Sequence, residues 1–468
     1  MKNPEPNRRN SWLRDTLAYS RKDAAGNSMM TGICDNFMGA FAVFLQATLA
    51  QIGWLTALPQ LVGACAQMLS VWICPRFSRR RVIVAGATVQ AVAVLGISIL
   101  AFSNPLAGAT WLIGLAVLYS SASNFVQPQW RSWMGSLVPA RRRGAFFAGR
   151  TRLSMIISFV MFFGGGMLLN LFQVGDLAWL GFGILFVLAA TGRGASAHFL
   201  RQMHDPDHRD KPDATISLGM TLGRIAEAFR NKAFREYSLF FAGMHTTVAI
   251  SAPFFSVYML RDLEYTYAQF TMNTAVAILT QFFTLSTWGK ICDRYGNRLV
   301  MVISSCLIPI VPALWLFSDN FYYLLSTQLI SGLAWGGFAL STANFLYDLR
   351  PPRADFASYA AVQSALGALG IFCGALFGGY LASNLPYLLS FLPEGWAPTH
   401  SVIIIFGISA LLRAGMAAWF IPRSVELRVR HHPSVLQVVY RISRFTSGAG
   451  IVLDWLTVTK KRNDDSNS

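Results

Sequence analysis

Residues 289–298 read GKICDRYGNR, and residues 71–80 read VWICPRFSRR. Laid over one another 218 residues apart, they pair Ile291 with Ile73, Cys292 with Cys74, Arg294 with Arg76 and Arg298 with Arg80. Each stretch is a short basic phrase set between two long apolar runs. The interval between the copies therefore measures a repeated unit, and the flanking runs say what that unit is made of.

Of the 468 residues, 54% are hydrophobic and 13% are charged, with a mean hydropathy of +0.43. A soluble domain carries about 25% charged residues. This chain has too few to cover a water-facing surface, so it reads as a membrane protein. The net charge of +17 raises nucleic-acid binding as a possibility. The basic residues, however, fall in short clusters between apolar runs, and no stacking platform or reading module is visible, so nucleic acid is not expected as a partner. The six cysteines, Cys34, Cys65, Cys74, Cys292, Cys306 and Cys373, lie in or beside apolar runs without a C-x-x-C pair. That pattern predicts neither a disulfide framework nor a structural metal. The polar start MKNPEPNRRNSWLRD predicts no cleavable signal peptide, the first span acting as its own insertion signal.

Twelve apolar segments can be drawn, near 28–50, 54–75, 82–103, 107–128, 147–171 and 177–200, then 237–259, 267–288, 298–318, 322–346, 357–382 and 400–421. Runs this long must satisfy their own backbone in lipid, and without alternating polarity they are helices rather than barrel strands. Of the 39 Lys and Arg, 36 lie in the tails and alternate connections on one side or in the segment ends beside them, Arg261 alone lies on the other, and Arg193 and Arg413 lie deeper inside segments. This one-sided distribution predicts an even number of spans in the inner or plasma membrane, with both termini cytoplasmic. The chain divides into a tail (1–27), a six-helix bundle (28–200), a linker (201–236), a second bundle (237–422) and a tail (423–468). Leu218, Leu222, Ile225 and Phe229 beside Arg224, Arg230 and Lys232 predict an amphipathic surface helix in the linker; Val435, Val438, Ile442 and Phe445 beside Arg441 and Arg444 predict another in the tail. His204 and His208 have metal-like spacing, but Pro206 breaks the helix between them, so no metal is expected.

Three further marks repeat in the same order. SSASNF (120–125) resembles LSTANF (340–345), LVPARRRGAFFA (137–148) resembles LRPPRADFASYA (349–360), and Arg193 and Arg413 close their halves. Together they indicate an internal parallel repeat.

On these residues the chain resembles the major facilitator superfamily. Gly289, Asp293, Arg294, Gly296 and Arg298 match a pattern close to G-x-x-x-D-R-x-G-x-[RK], placed between helices 8 and 9; in the first copy Pro75 and Ser78 replace the Asp and Gly. The resemblance covers about residues 28–422. It implies an all-α fold of 12 transmembrane helices in two pseudo-symmetric bundles that rock about a central site. It also implies that Asp293, with Arg294 and Arg298, belongs to a cytoplasmic gate meeting the start of helix 5, where Arg150 is a candidate partner. The fourth span lacks the Arg-x-x-x-Gly pattern of many proton-coupled members and the fifth the Gly-Pro motif typical of drug antiporters, so the resemblance disfavours drug-proton antiport.

A central site needs polar groups turned toward a cavity, because a charge facing lipid costs about 2.5–3.5 kcal/mol. Asp35, in MTGICDNFMGAF, is the sharpest candidate, with Asn36 beside it; it can hold a proton or a cationic group, or merely hydrogen-bond a neighbouring helix. Aligning Gly32 with Gly243 brings His245 and Thr246 to the same level, where an imidazole can titrate or act as a neutral helix-to-helix link. Asn124 and Asn344 fall on helices 4 and 10; as repeated residues they also suit shared architecture. Gln60, Gln67 and Gln281 are weaker candidates. Arg193 and Arg413 are expected to snorkel to the headgroups. Gly370, Gly374 and Gly378 form a small-residue stripe on helix 11, suited to sliding or to tight packing.

The expected function is secondary transport of a small-molecule substrate by alternating access, as a monomer in the lipid bilayer, with proton coupling as one form of it. A facilitative uptake permease for sugars, peptides or organic acids is the first alternative, and a non-transporting receptor or assembly factor on the same scaffold the second. No cofactor and no enzymatic activity are expected: no G-x-x-x-x-G-K-[ST] and no nucleophile–base pair stands out.

Overall fold

A computed structural model describes residues 6–73, 77–103, 107–138, 143–205, 229–349, 356–389 and 400–424. Twelve long helices run through these segments. The first half holds α1 (Pro6–Phe44), α2 (Leu49–Ile73), α3 (Arg79–Ser103), α4 (Gly108–Leu137), α5 (Arg143–Gln173) and α6 (Ala178–Gln202). The second holds α7 (Lys232–Ser251, continued by turns Phe254–Val257 and Tyr258–Asp262), α8 (Tyr267–Tyr295), α9 (Asn297–Leu314), α10 (Phe321–Leu349), α11 (Phe356–Leu389) and α12 (Val402–Phe420). Cys74, Pro75 and Arg76 of the first basic phrase lie outside the described residues, as do most of the linker and the predicted tail helix.

The repeat read from sequence is a repeat in space. In the first half α1 packs on α5 and α6, α2 on α4, and α3 on α4 and α6. In the second half α7 packs on α11 and α12, α8 on α10, and α9 on α10 and α12. The two sets are the same under a shift of six helices. The halves meet through α2 with α11 and α5 with α8, a pairing that the shift also maps onto itself.

Among the described residues ten helices are long and apolar enough to cross a bilayer, and α1 and α8 fall short by composition. The reason is local. The span-length part of α1 carries Ser28, Thr31, Asp35 and Asn36, and α8 carries Gln269, Thr271, Asn273, Thr280, Gln281 and Thr284. Several of these polar groups are satisfied within the fold: Gln328 of α10 donates to Asn273, and Thr284 to the carbonyl of Thr280. Apolar side chains such as Val92, Ile99, Trp111 and Leu411 stay more than half exposed on the outside of the bundles, the surface a hydrocarbon solvent would cover.

Two sequence features acquire a geometry. Gly296, the second glycine of the basic phrase, has φ 90°, a turn between α8 and α9 that favours glycine. Gly370, Gly374 and Gly378 lie against the backbone at Ala242, Thr246 and Ile250 of α7, so the stripe is tight packing within one half.

Two expectations are corrected. α1 begins at Pro6, and Thr16, Ser20 and Asp23 are buried, so the stretch assigned to a tail is a helical extension of the bundle. Arg193 and Arg413 do not snorkel; they are 5% and 3% exposed and turn inward. Arg413 donates to the carbonyl of Ile308 (3.5 Å), the group left without a helical N–H by Pro312, and to Ser251 Oγ (2.6 Å). Arg193 donates to Ser196 Oγ (2.9 Å), which leads to Asp23.

Candidate functional site

On α1, Cys34, Phe37 and Phe41 face the core of the first half and are fully buried. Asp35 turns the other way and is exposed, though it lies in the interior stretch of the helix. Tyr119 of α4 is buried and donates its hydroxyl to Asp35 Oδ1 at 2.8 Å. Gln90 of α3 holds the same turn by donating to the Tyr119 carbonyl (3.3 Å). The carboxylate is thus fixed on one side by a phenol and open on the other.

On α7, His245 Nδ1 lies 2.8 Å from the Phe241 carbonyl. A carbonyl only accepts, so Nδ1 carries the hydrogen, and Nε2 is the acceptor in the neutral ring. The ring packs 4.1 Å from Phe241 and 6.2 Å from Phe338 of α10. Thr246 donates to the Ala242 carbonyl and packs against Gly370. Asn36 donates to the Gly32 carbonyl of its own helix. Asn124 donates to the Ser120 carbonyl and lies against Gly63 of α2. Asn344 is half-buried and makes no hydrogen bond with a described residue. None of these six predicted residues hydrogen-bonds another; what the fold joins to Asp35 is Tyr119, which sequence reading did not select. Its signal was faint: a lone tyrosine one residue ahead of the repeated SSASNF, with Ala339 at the matching place in the second half.

The two halves close on each other at the end opposite the basic loops. Gly53 of α2 meets the backbone of Ala375 and Gly379 on α11. Gly166 of α5 meets the side chain of Thr271 on α8. Gln173 and Asn170 at the end of α5 accept the first two N–H groups of α8, from Tyr267 (3.0 Å) and Ala268 (3.4 Å). These are helix N-terminal donors with no partner in their own helix, so one half caps a helix of the other. That end is therefore packed between the two halves.

At the basic end Arg150 does not reach Asp293. It donates to Asp23 Oδ2 (2.9 Å) and lies 4.2 Å over Trp130. Ser196 donates to Asp23 Oδ1 (2.7 Å), completing a buried Arg150–Asp23–Ser196–Arg193 chain across α5, α1 and α6. Asp293 and Arg294 are exposed, Arg294 lying over Tyr295, and Arg298 ties α9 to the end of α12 through Ser424 and the Ile421 carbonyl. No group of His, Cys, Asp and Glu suited to a metal occurs among the described residues.

Comparison with known proteins follows the same lines. The fold is similar to that of the nucleoside transporter NupG, with a TM-score of 0.61 and 15% identity over 87% of this chain and 99% of that one. It is also similar to a bacterial homolog of the human lysosomal transporter Spinster in an inward-facing and occupied conformation, with a TM-score of 0.62 and 15% identity over 92% of this chain and all of that one. In sequence, 129 residues are 30% identical to mouse major facilitator superfamily domain-containing protein 10, covering 25% of this chain and 28% of that protein. A stretch of 176 residues is 25% identical to the 4-hydroxybenzoate transporter PcaK of Pseudomonas aeruginosa, covering 36% of each. The matches thus span about a quarter to a third of these curated relatives. The model of the Major Facilitator Superfamily matches twice, over residues 24–248 and 237–459. This multi-pass membrane protein, with its two six-helix repeats, belongs to the Major Facilitator Superfamily.

Proposed function

We propose that the chain carries a small neutral or cationic organic solute across the membrane by alternating access, with Asp35 and Tyr119 as the polar focus of its site. One observation carries the reading. The pair leaves the Asp35 side chain exposed within a membrane-spanning helix and has no counterpart in the second half, where Thr246 and Ala339 stand at the matching positions. Shared architecture repeats; a feature written once serves what differs between the halves, which is the contact with an asymmetric solute. A carboxylate held by one phenol keeps lone pairs for a cationic or hydroxyl donor. His245 and Asn344 are proposed to offer weaker polar contacts from the second half.

The halves near 28–200 and 237–422 are the proposed moving bodies, with both termini on the cytoplasmic side of the cell membrane. Asp293, Arg294 and Arg298, with Arg150, are proposed to approach one another when the basic end closes.

The test is a metabolite and drug screen comparing cells that lack and overproduce the protein, followed by uptake into proteoliposomes. Asp35→Asn and Tyr119→Phe are expected to lower uptake about 10- to 100-fold and about 5-fold respectively, the ratio set by a charged against a neutral hydrogen bond. No solute flux for any compound would favour the receptor reading. Proton coupling is the finer reading of the same carboxylate: wild-type uptake should follow an imposed pH gradient, and Asp35→Asn uptake should not. Uptake indifferent to the gradient in both proteins favours a facilitative permease.

A further inference from the structure

Outside the candidate site, a cavity lies on the lipid-facing surface of the first half. A groove of about 790 Å³ runs along α3 from Arg80 and Arg81 to Val92, with Leu118 of α4 and Arg201 of α6 at its walls. A second groove of about 440 Å³ adjoins it and shares Ala85, Val89 and Leu118. Both are apolar below the arginines, and the one hydroxyl in the first, Thr88, already donates to the Val84 carbonyl. Arg80, Arg81 and Arg201 are exposed and make no ion pair or hydrogen bond with a described residue.

The dimensions and charges select one occupant. From Arg80 to Val92 the helix rises about 18 Å at 1.5 Å per residue, close to the thickness of one hydrocarbon leaflet, about 15 Å. Three cations sit at the end where the basic loops lie, and two parallel grooves run from there toward the membrane centre. We propose that an anionic glycerophospholipid of the leaflet facing the basic loops binds here, its phosphate held by Arg80, Arg81 and Arg201 and its two acyl chains lying in the two grooves. A soluble anion would leave both grooves unused. A zwitterionic lipid would leave the cluster uncompensated.

The full chain, purified in detergent, can be titrated with dioleoyl phosphatidylglycerol or dioleoyl phosphatidylcholine and the bound lipid counted by native mass spectrometry. Phosphatidylglycerol is expected to bind about tenfold more tightly, in keeping with the attraction of basic clusters for anionic lipid. The triple variant Arg80→Gln, Arg81→Gln, Arg201→Gln should lose that preference. Arg152→Gln, an exposed arginine away from the groove, should keep it. Ala85→Trp, at an exposed position on the ridge between the grooves, should expel the lipid with all three charges in place. Equal binding of the two lipids overturns the proposal. So does an unchanged preference in the triple variant, an equal loss in Arg152→Gln, or full affinity in Ala85→Trp. Displacement by millimolar glycerol 3-phosphate would identify a soluble-anion site instead, and also overturns it.

Discussion

Asp23→Ala is expected to destabilise the protein by about 3–5 kcal/mol, the loss typical when one partner of a buried ion pair is removed. Asp23 is 2% exposed and receives Arg150 and Ser196 directly, and Arg193 through Ser196. Without it, two guanidinium groups share a low-dielectric site with no anion. Natural stabilities are about 5–15 kcal/mol, so the variant should lose most of its folded yield and melt many degrees lower in detergent. Asp23→Asn keeps the shape and an acceptor for Ser196, and should lose less. The double variant Asp23→Ala, Arg193→Leu should recover part of the loss, because replacing a buried charged set with apolar groups removes the desolvation cost on both sides. A thermal melt of Asp23→Ala indistinguishable from wild type would mean that water or lipid headgroups already solvate this cluster.

The second large effect is conformational. Gly166 admits α8 so closely that a Cβ there would run into Thr271 of α8, which is fully buried. Gly166→Val should therefore be incompatible with the closed end seen here and force α5 and α8 apart. With a cysteine reporter at Thr271→Cys in a cysteine-depleted chain, labelling by a membrane-impermeant maleimide should be negligible with Gly166 and at least about tenfold faster with Val, the expected response of a two-state equilibrium biased by a steric clash. Uptake should fall, because the cycle needs both states. Thr271→Gly beside Gly166→Val should restore the closed end. Unchanged labelling would show that the contact between α5 and α8 is not a moving one.

Much of this architecture is legible in one dimension. Hydropathy and the basic loops are local properties, and a duplicated phrase around Asp293 implies a duplicated unit before any coordinate is known. The small stripe on α11 follows the same rule, since residue size is written at the position itself. The position of Asp35 was legible too, as a carboxylate within a membrane-spanning segment.

Its partner was not. Tyr119 lies 84 residues away in sequence and Ser196 lies 173 residues from Asp23; a helical pattern gives the period of a face but neither the rotation nor the axial level at which two helices meet. The same gap misplaced Arg193 and Arg413. From sequence each is a cation near a helix end, free to reach the headgroups. In the fold one finds Asp23 through Ser196 and the other the carbonyl that Pro312 leaves open, because packing on the neighbouring helices turned both inward. The sequence alone determined that this is a twice-written set of membrane helices with an acid in its interior. Only the tertiary structure decided which polar groups meet and which end of the molecule is shut, since those depend on contacts between helices that no local pattern encodes.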